Sequence, residues 1–163
     1  MRSQNRGNRR KAKGQAIAEF GPALGIVLIC FFFPLVDILA VGLAYGFLMV
    51  LNYNQVHEAS LLPASSAQDP AGVVRSGIVN QWLNGMGHFV KTEGKPDTAV
   101  SYRANTVNAD GVTDQTVIVT TTAVCDPFLP IPLPFANVPG LNGPMNLAIT
   151  SERPMENPDD VTQ

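Results

Sequence analysis

The chain has 163 residues, 45% of them hydrophobic, and its 11 Lys and Arg against 13 Asp and Glu give a formal net charge of −2. That near-balance conceals two opposite parts: residues 1–13 carry six basic side chains and no acid, whereas from Gln15 onward five basic residues face all 13 acids, a balance of −8. A basic arm of this kind suits nucleic acid when a polar domain follows it, but an apolar run follows here, and Lys/Arg excess beside a membrane span marks its cytoplasmic side.

The apolar run covers 20–53 with a single charge, Asp37. About 20 residues cross a hydrocarbon core, so the run exceeds one span. As one helix, 15–56 would be about 60 Å long. The lipid bilayer is expected to hold its first part, with the remainder projecting as a stalk or packing on a partner. Pro22 falls in the opening turns, whereas Pro34 removes an interior hydrogen bond and is expected to kink the rod. Gly21/Gly25 and Gly42/Gly46 form two G-x-x-x-G spacings, which either allow close helix approach or reflect the tolerance of membrane helices for glycine. A secretory signal peptide is the rival reading, with Ala40-Val41-Gly42 as the cleavage site. Its apolar region normally runs about 7–15 residues, and this one continues well past that site.

Residues 61–69, with Pro63 and small polar side chains, read as a linker. Asp69 then offers an N-cap with Pro70 at the first helical position. Val74, Ile78, Trp82, Met86 and Phe89 recur at helical spacing, predicting an amphipathic helix that ends near Val90. From Asp97 the period becomes two: 99–104 and 116–124 read as strands flanking Asp110-Gly111, a hairpin signal. Asp110 and Asp114 do not match an EF-hand spacing, and no metal or other cofactor is expected. Residues 127–144 form a Pro-rich, extended loop. A third strand follows at 145–153, and 154–163 read as a frayed acidic tail. The expected fold is α+β: a long N-terminal transmembrane and stalk helix at 15–60, then a small head at 70–153 with one helix on a roughly three-stranded antiparallel sheet.

Cys30 lies in the apolar run and Cys125 at a strand end, poorly placed to pair within one chain. G-x-S-x-G, H-E-x-x-H, P-loop and Rossmann fingerprints are absent, so the chain does not read as an enzyme.

The junction between leader and apolar helix carries a more specific signal. Gly14-Gln15-Ala16-Ile17-Ala18-Glu19-Phe20 places a glycine, four residues, a carboxylate and an aromatic directly ahead of the helix. This arrangement resembles type IV prepilins and pseudopilins. Gly-Gln-Ala-x-x-Glu-Phe, the later Pro34-Leu35-Val36-Asp37, the Leu51-Asn52 exit and the Pro-rich segment between two C-terminal strands resemble the TadE-like branch of tight-adherence (Tad) systems. The basic small-residue string usual at that exit is missing, and 57–110 carry little of the likeness. The resemblance implies a cytoplasmic leader at 1–14, cut between Gly14 and Gln15 by a prepilin peptidase. It implies as partners other Tad pilins or pseudopilins and inner-membrane platform proteins, with no nucleic acid, and an extracytoplasmic head on a single-pass inner-membrane protein. Glu19 would then meet the new α-amine of a neighbour's Gln15, or lie at headgroup level beside Lys13. Phe20 opens the apolar surface. Asp37, about 25 Å further along the helix, reads equally as a solvated interfacial acid or as a partner-facing charge in a bundle.

Overall fold

A computed structural model describes residues 19–103, 106–107, 113–130 and 137–156. Helix α1, Glu19–Leu61, is 43 residues long, or about 65 Å. Before Asp37 none of its described residues is buried. After Asp37 one face is: Ala44, Leu48, Leu51, Asn52, Gln55, Val56 and Ala59 all point inward. These positions follow the three-and-four spacing of one helical stripe. The second half of α1 is therefore a wall of the head's own core, not a projecting stalk.

Pro34 does not end the helix. The turn immediately before it, Leu28–Phe32, is a π-helix closed by the Phe33 amide donating to the Leu28 carbonyl. A widened turn accommodates the missing donor and the ring's clash with the preceding carbonyl. α1 stops at Pro63, whose carbonyl accepts from the Ser66 and Ala67 amides at 3.0 Å each. Those bonds start a short helix α2, Ala64–Gln68, with Ala64 and Ala67 buried. The segment expected to be a linker is thus packed, because its alanines are small enough to sit against α1.

Asp69 is not the N-cap: its Oδ1 accepts from the Ala71 amide at 2.9 Å in the preceding turn, and the helical segment begins at Val73 with Gly72 at its N-cap and no side-chain cap. A π turn, Val73–Gly77, leads into α3, Ile78–Asn84. Val74 and Trp82 are buried, as the stripe predicts, but Met86 and Phe89 are exposed. Gly85 leaves helical geometry at φ −108°, ψ −113°, and the chain resumes as a 3-10 turn, Met86–Phe89. Gly87 passes directly over the Trp82 ring, where a Cβ would stand 2.3 Å from Cε3. Gly87→Ala is therefore expected to destabilise the head by about 1–3 kcal/mol through overpacking. A lowered urea midpoint, read by Trp82 fluorescence, checks it.

The sheet contains β1 (Asp97–Tyr102), β4 (Thr116–Cys125) and β5 (Met145–Pro154), with β4 central and both neighbours antiparallel. Between β1 and β4 the short strands β2 (Thr106–Val107) and β3 (Thr113–Asp114) pair antiparallel, flanking the expected Asp-Gly turn, which lies outside the described residues. Val117, Val119, Thr121, Ala123 and Cys125 alternate inward along β4, the period of a half-covered strand. α1 and α3 cover that face. One cluster joins Leu48, Leu51, Trp82, Ala123, Cys125 and Ile149, and a second joins Val56, Ala59, Ala67, Val74, Val117 and Val119.

Two buried polar residues of α1 fix its position on the sheet. Asn52 Nδ2 approaches the Val119 carbonyl, the Ile149 carbonyl and Thr121 Oγ1 at 3.0, 3.2 and 2.9 Å. Gln55 Nε2 donates to the Val74 carbonyl and Thr98 Oγ1 at 2.9 and 2.8 Å, and its Oε1 accepts from Thr121 Oγ1 at 2.6 Å. The C-terminal segment is docked further than a frayed tail would be. Met155 is buried, its amide donates to the Gln115 carbonyl at 2.8 Å, and the Glu156 amide donates to the Ser60 carbonyl at 3.1 Å.

Candidate functional site

Gly14 and Gln15, the expected processing site, lie outside the described residues. Glu19 opens the described part of α1 and is exposed, with Phe20 beside it, also exposed. The apolar surface that follows continues through Leu24, Ile26, Val27, Ile29, Phe31 and Phe32. This helix is long and apolar enough to cross a membrane. At Gly21, Gly25, Gly42 and Gly46 an added Cβ would meet no atom within 4 Å. Both G-x-x-x-G notches therefore face open space among the described residues, and neither is used to pack α1 on its own head.

Asp37 is neither solvated nor presented at the helix surface. It is fully buried, and its Oδ1 accepts from the backbone amide of Leu129 at 2.8 Å. Its Oδ2 is enclosed without a hydrogen-bond partner. The segment after β4 folds down over this carboxylate, so the acid in the apolar run joins the head to the exposed, apolar first half of α1. The sequence alone reads Asp37 as a solvated or a partner-facing acid. It could not see that the chain's own Pro-rich segment, 92 residues later, supplies the covering group.

Next to this contact, a cleft of about 620 Å³ opens between Ala40, Val41 and Ala44 of α1 and the stretch from Gly87 to Thr92. Cys125 lies in its lining, with Asp126 and Phe128. Burial, and then the neighbouring Asp126 charge, push the Cys125 thiol pKa upward. The thiol is thus held in its protonated, weakly nucleophilic form at neutral pH. Cys30 is exposed on α1, and both cysteines are free thiols. His88 lines the cleft, whereas His57 belongs to α1, where Arg153 contacts its Nδ1 at 2.6 Å. No group of three or more His, Cys, Asp or Glu that could hold a metal occurs among the described residues. The cleft thus pairs a suppressed thiol with scattered polar groups around apolar walls.

The molecule so described is a single long apolar helix whose second half is built into a small α+β head. Comparison with family models, with characterised proteins and with solved structures gives no match to the chain.

Proposed function

We propose that the chain is a structural subunit, a TadE-like pseudopilin or minor pilin of a Tad-type envelope apparatus serving pilus assembly, adhesion or secretion. Its N-terminus is cytoplasmic, its head extracytoplasmic, and it is processed between Gly14 and Gln15 by a prepilin peptidase. The observation that carries this reading is the division of α1. One helix is exposed and apolar throughout its membrane-side half and is the core element of the head in its other half. A subunit built this way transmits any force or displacement on its span directly to its head, because no linker intervenes. The basic leader supports the topology, and the open glycine notches support packing of spans against one another. In this role Glu19 meets the α-amine of a neighbour's Gln15, other pilins and platform proteins are the partners, and no cofactor is required.

The competing arrangement is an uncleaved single-pass anchor that presents the head as a binding or sensor module. Signal-peptide cleavage before Leu43 is less compatible with the observed packing, since it would remove Asp37 and its bond to Leu129. The N-terminal residue of the protein purified from cells with an active prepilin peptidase separates the three. Gln15 is expected. Met1 would establish the anchor instead, and Leu43 the exported form.

A further inference from the structure

We infer that the end of the head nearest the apolar half of α1 is a lipid-facing foot, which seats in the membrane leaflet on the head's side. Phe89, Phe128 and Leu129 are its inserted side chains. The inference rests on reading the first half of α1 as a membrane span. It does not depend on processing or on assembly.

Among the described residues beyond α1, the large exposed apolar side chains are Val73, Met86, Phe89, Phe128 and Leu129, and the two phenylalanines are the most exposed of them. Phe89 is 80% exposed, Phe128 62% and Leu129 37%. The bond from the Leu129 amide to Asp37 fixes that segment against α1, and Phe89 and Phe128 line the cleft whose other wall is Ala40 and Val41. All three therefore lie at one level of the helix. An independent count reaches the same level: about 20 residues cross the hydrocarbon, so a span that opens at Phe20 closes near Leu39 and Ala40. Two exposed phenyl rings in water forfeit the favourable burial of their apolar area. At the boundary between acyl chains and headgroups they recover it.

The polar side chains lining the same cleft are His88, Lys91, Thr92 and the half-buried Asp126. His88 and Lys91 flank Phe89 on the cleft, exposed, with the lysine's long stem able to carry its ammonium to the phosphate level. Asp37 would otherwise be a lipid-facing carboxylate in the last turn of the span, an expensive arrangement. The foot encloses it and supplies a donor. The apolar patch and the buried acid thus have one occupant in common, the bilayer surface around α1.

Nitroxide labels on the full chain test this in phosphatidylethanolamine–phosphatidylglycerol vesicles. Cys30→Ser serves as the background, and the signal from buried Cys125 is read separately without an added cysteine. Labels go on Phe89→Cys, Phe128→Cys, Leu24→Cys in the span and Val73→Cys, an exposed apolar site away from the cleft. Collision with oxygen reports lipid, and collision with a water-soluble nickel chelate reports solvent. The oxygen-to-nickel ratio is expected to be at least about fivefold higher at 89 and 128 than at 73, as for an interfacial segment. Ratios at 89 and 128 equal to that at 73, with Leu24 in lipid, would overturn the foot and leave the span standing. Shielding of 89 and 128 from both agents would overturn it in favour of a protein partner at that surface. Solvent exposure at Leu24 would overturn the span and the foot together. An unchanged Trp82 emission spectrum establishes that each labelled variant is folded.

Discussion

Gln55→Ala is expected to lower the stability of the head by about 2–4 kcal/mol, a loss comparable to truncating a buried leucine on α1's inner face. Gln55 is fully buried and uses both amide ends. Nε2 donates to the Val74 carbonyl and Thr98 Oγ1, and Oε1 accepts from Thr121 Oγ1. Truncation strands a carbonyl and two hydroxyls in the core and opens a cavity where the side chain stood. With a denaturant dependence of about 1 kcal/mol/M for a domain of this size, the urea midpoint falls by roughly 2 M or more.

Asn52→Ala is expected to cost less, although Asn52 approaches three acceptors. Its Oδ1 is buried without a partner, so removing the side chain also removes an unsatisfied acceptor and offsets part of the loss. Because Thr121 Oγ1 touches both residues, the double variant should depart from the sum of the singles. Tyr53→Ala provides the contrast, since Tyr53 is exposed and its loss should leave the midpoint nearly unchanged. Equal midpoints for Gln55→Ala and Tyr53→Ala would mean that α1 is not pinned to the sheet through this network.

These residues also mark where the sequence was legible and where it was not. The α+β class, the long helix and the three main strands follow from periodicity that local physics enforces. The Val/Thr alternation of 116–125 can bury only one face, and the Val74, Ile78 and Trp82 stripe selects one side of a helix. Asn52 belongs to the Leu51-Asn52 exit, and Gln55 lies two residues beyond the apolar run. Their partners, Val74, Thr98, Val119, Thr121 and Ile149, are 19 to 97 residues away, and no local pattern links them. A signal was nevertheless present: two long amides three residues apart share a helix face with Leu48, Leu51 and Ala59, a pattern better suited to a buried polar interface than to a stalk. The predicted stripe breaks for a different reason, at Gly85, just ahead of Gly87. The closeness of Gly87 to Trp82 is a packing fact, whereas helical spacing alone extended the stripe through Met86 and Phe89. Asp37 combined both limits, because its level on α1 follows from counting residues but its covering Leu129 amide does not.

The second large effect concerns the junction at the start of α1, where Gly14→Ala and Glu19→Ala should separate two functions. Gly14→Ala is expected to leave a chain longer by the 14-residue leader, visible as a mass increase of about 1.65 kDa, and to abolish incorporation into the apparatus. Under the proposed function, cleavage would create an α-amine, cationic below a pKa of about 8, just ahead of the apolar run. Without the cut, the basic leader remains at the cytoplasmic face and that amine never forms. Glu19→Ala should instead be inserted and cut normally. It removes one charge near the interface, which if anything eases insertion on scales that assign a carboxylate at mid-bilayer about 2.5–3.5 kcal/mol. What it removes is the anion available to a neighbour's Gln15 amine, so the assembled fraction should fall by about tenfold or more, as expected when a charge-assisted hydrogen bond worth 1.5–3 kcal/mol is lost in a low-dielectric site. Glu19→Asp shortens the reach by one methylene and should restore assembly in part. Immunoblots of membrane and sheared surface fractions read processing and incorporation together. A Glu19→Ala chain that is cut and incorporated like wild type would remove the pairing role from Glu19 and leave the carboxylate as a headgroup-level charge beside Lys13.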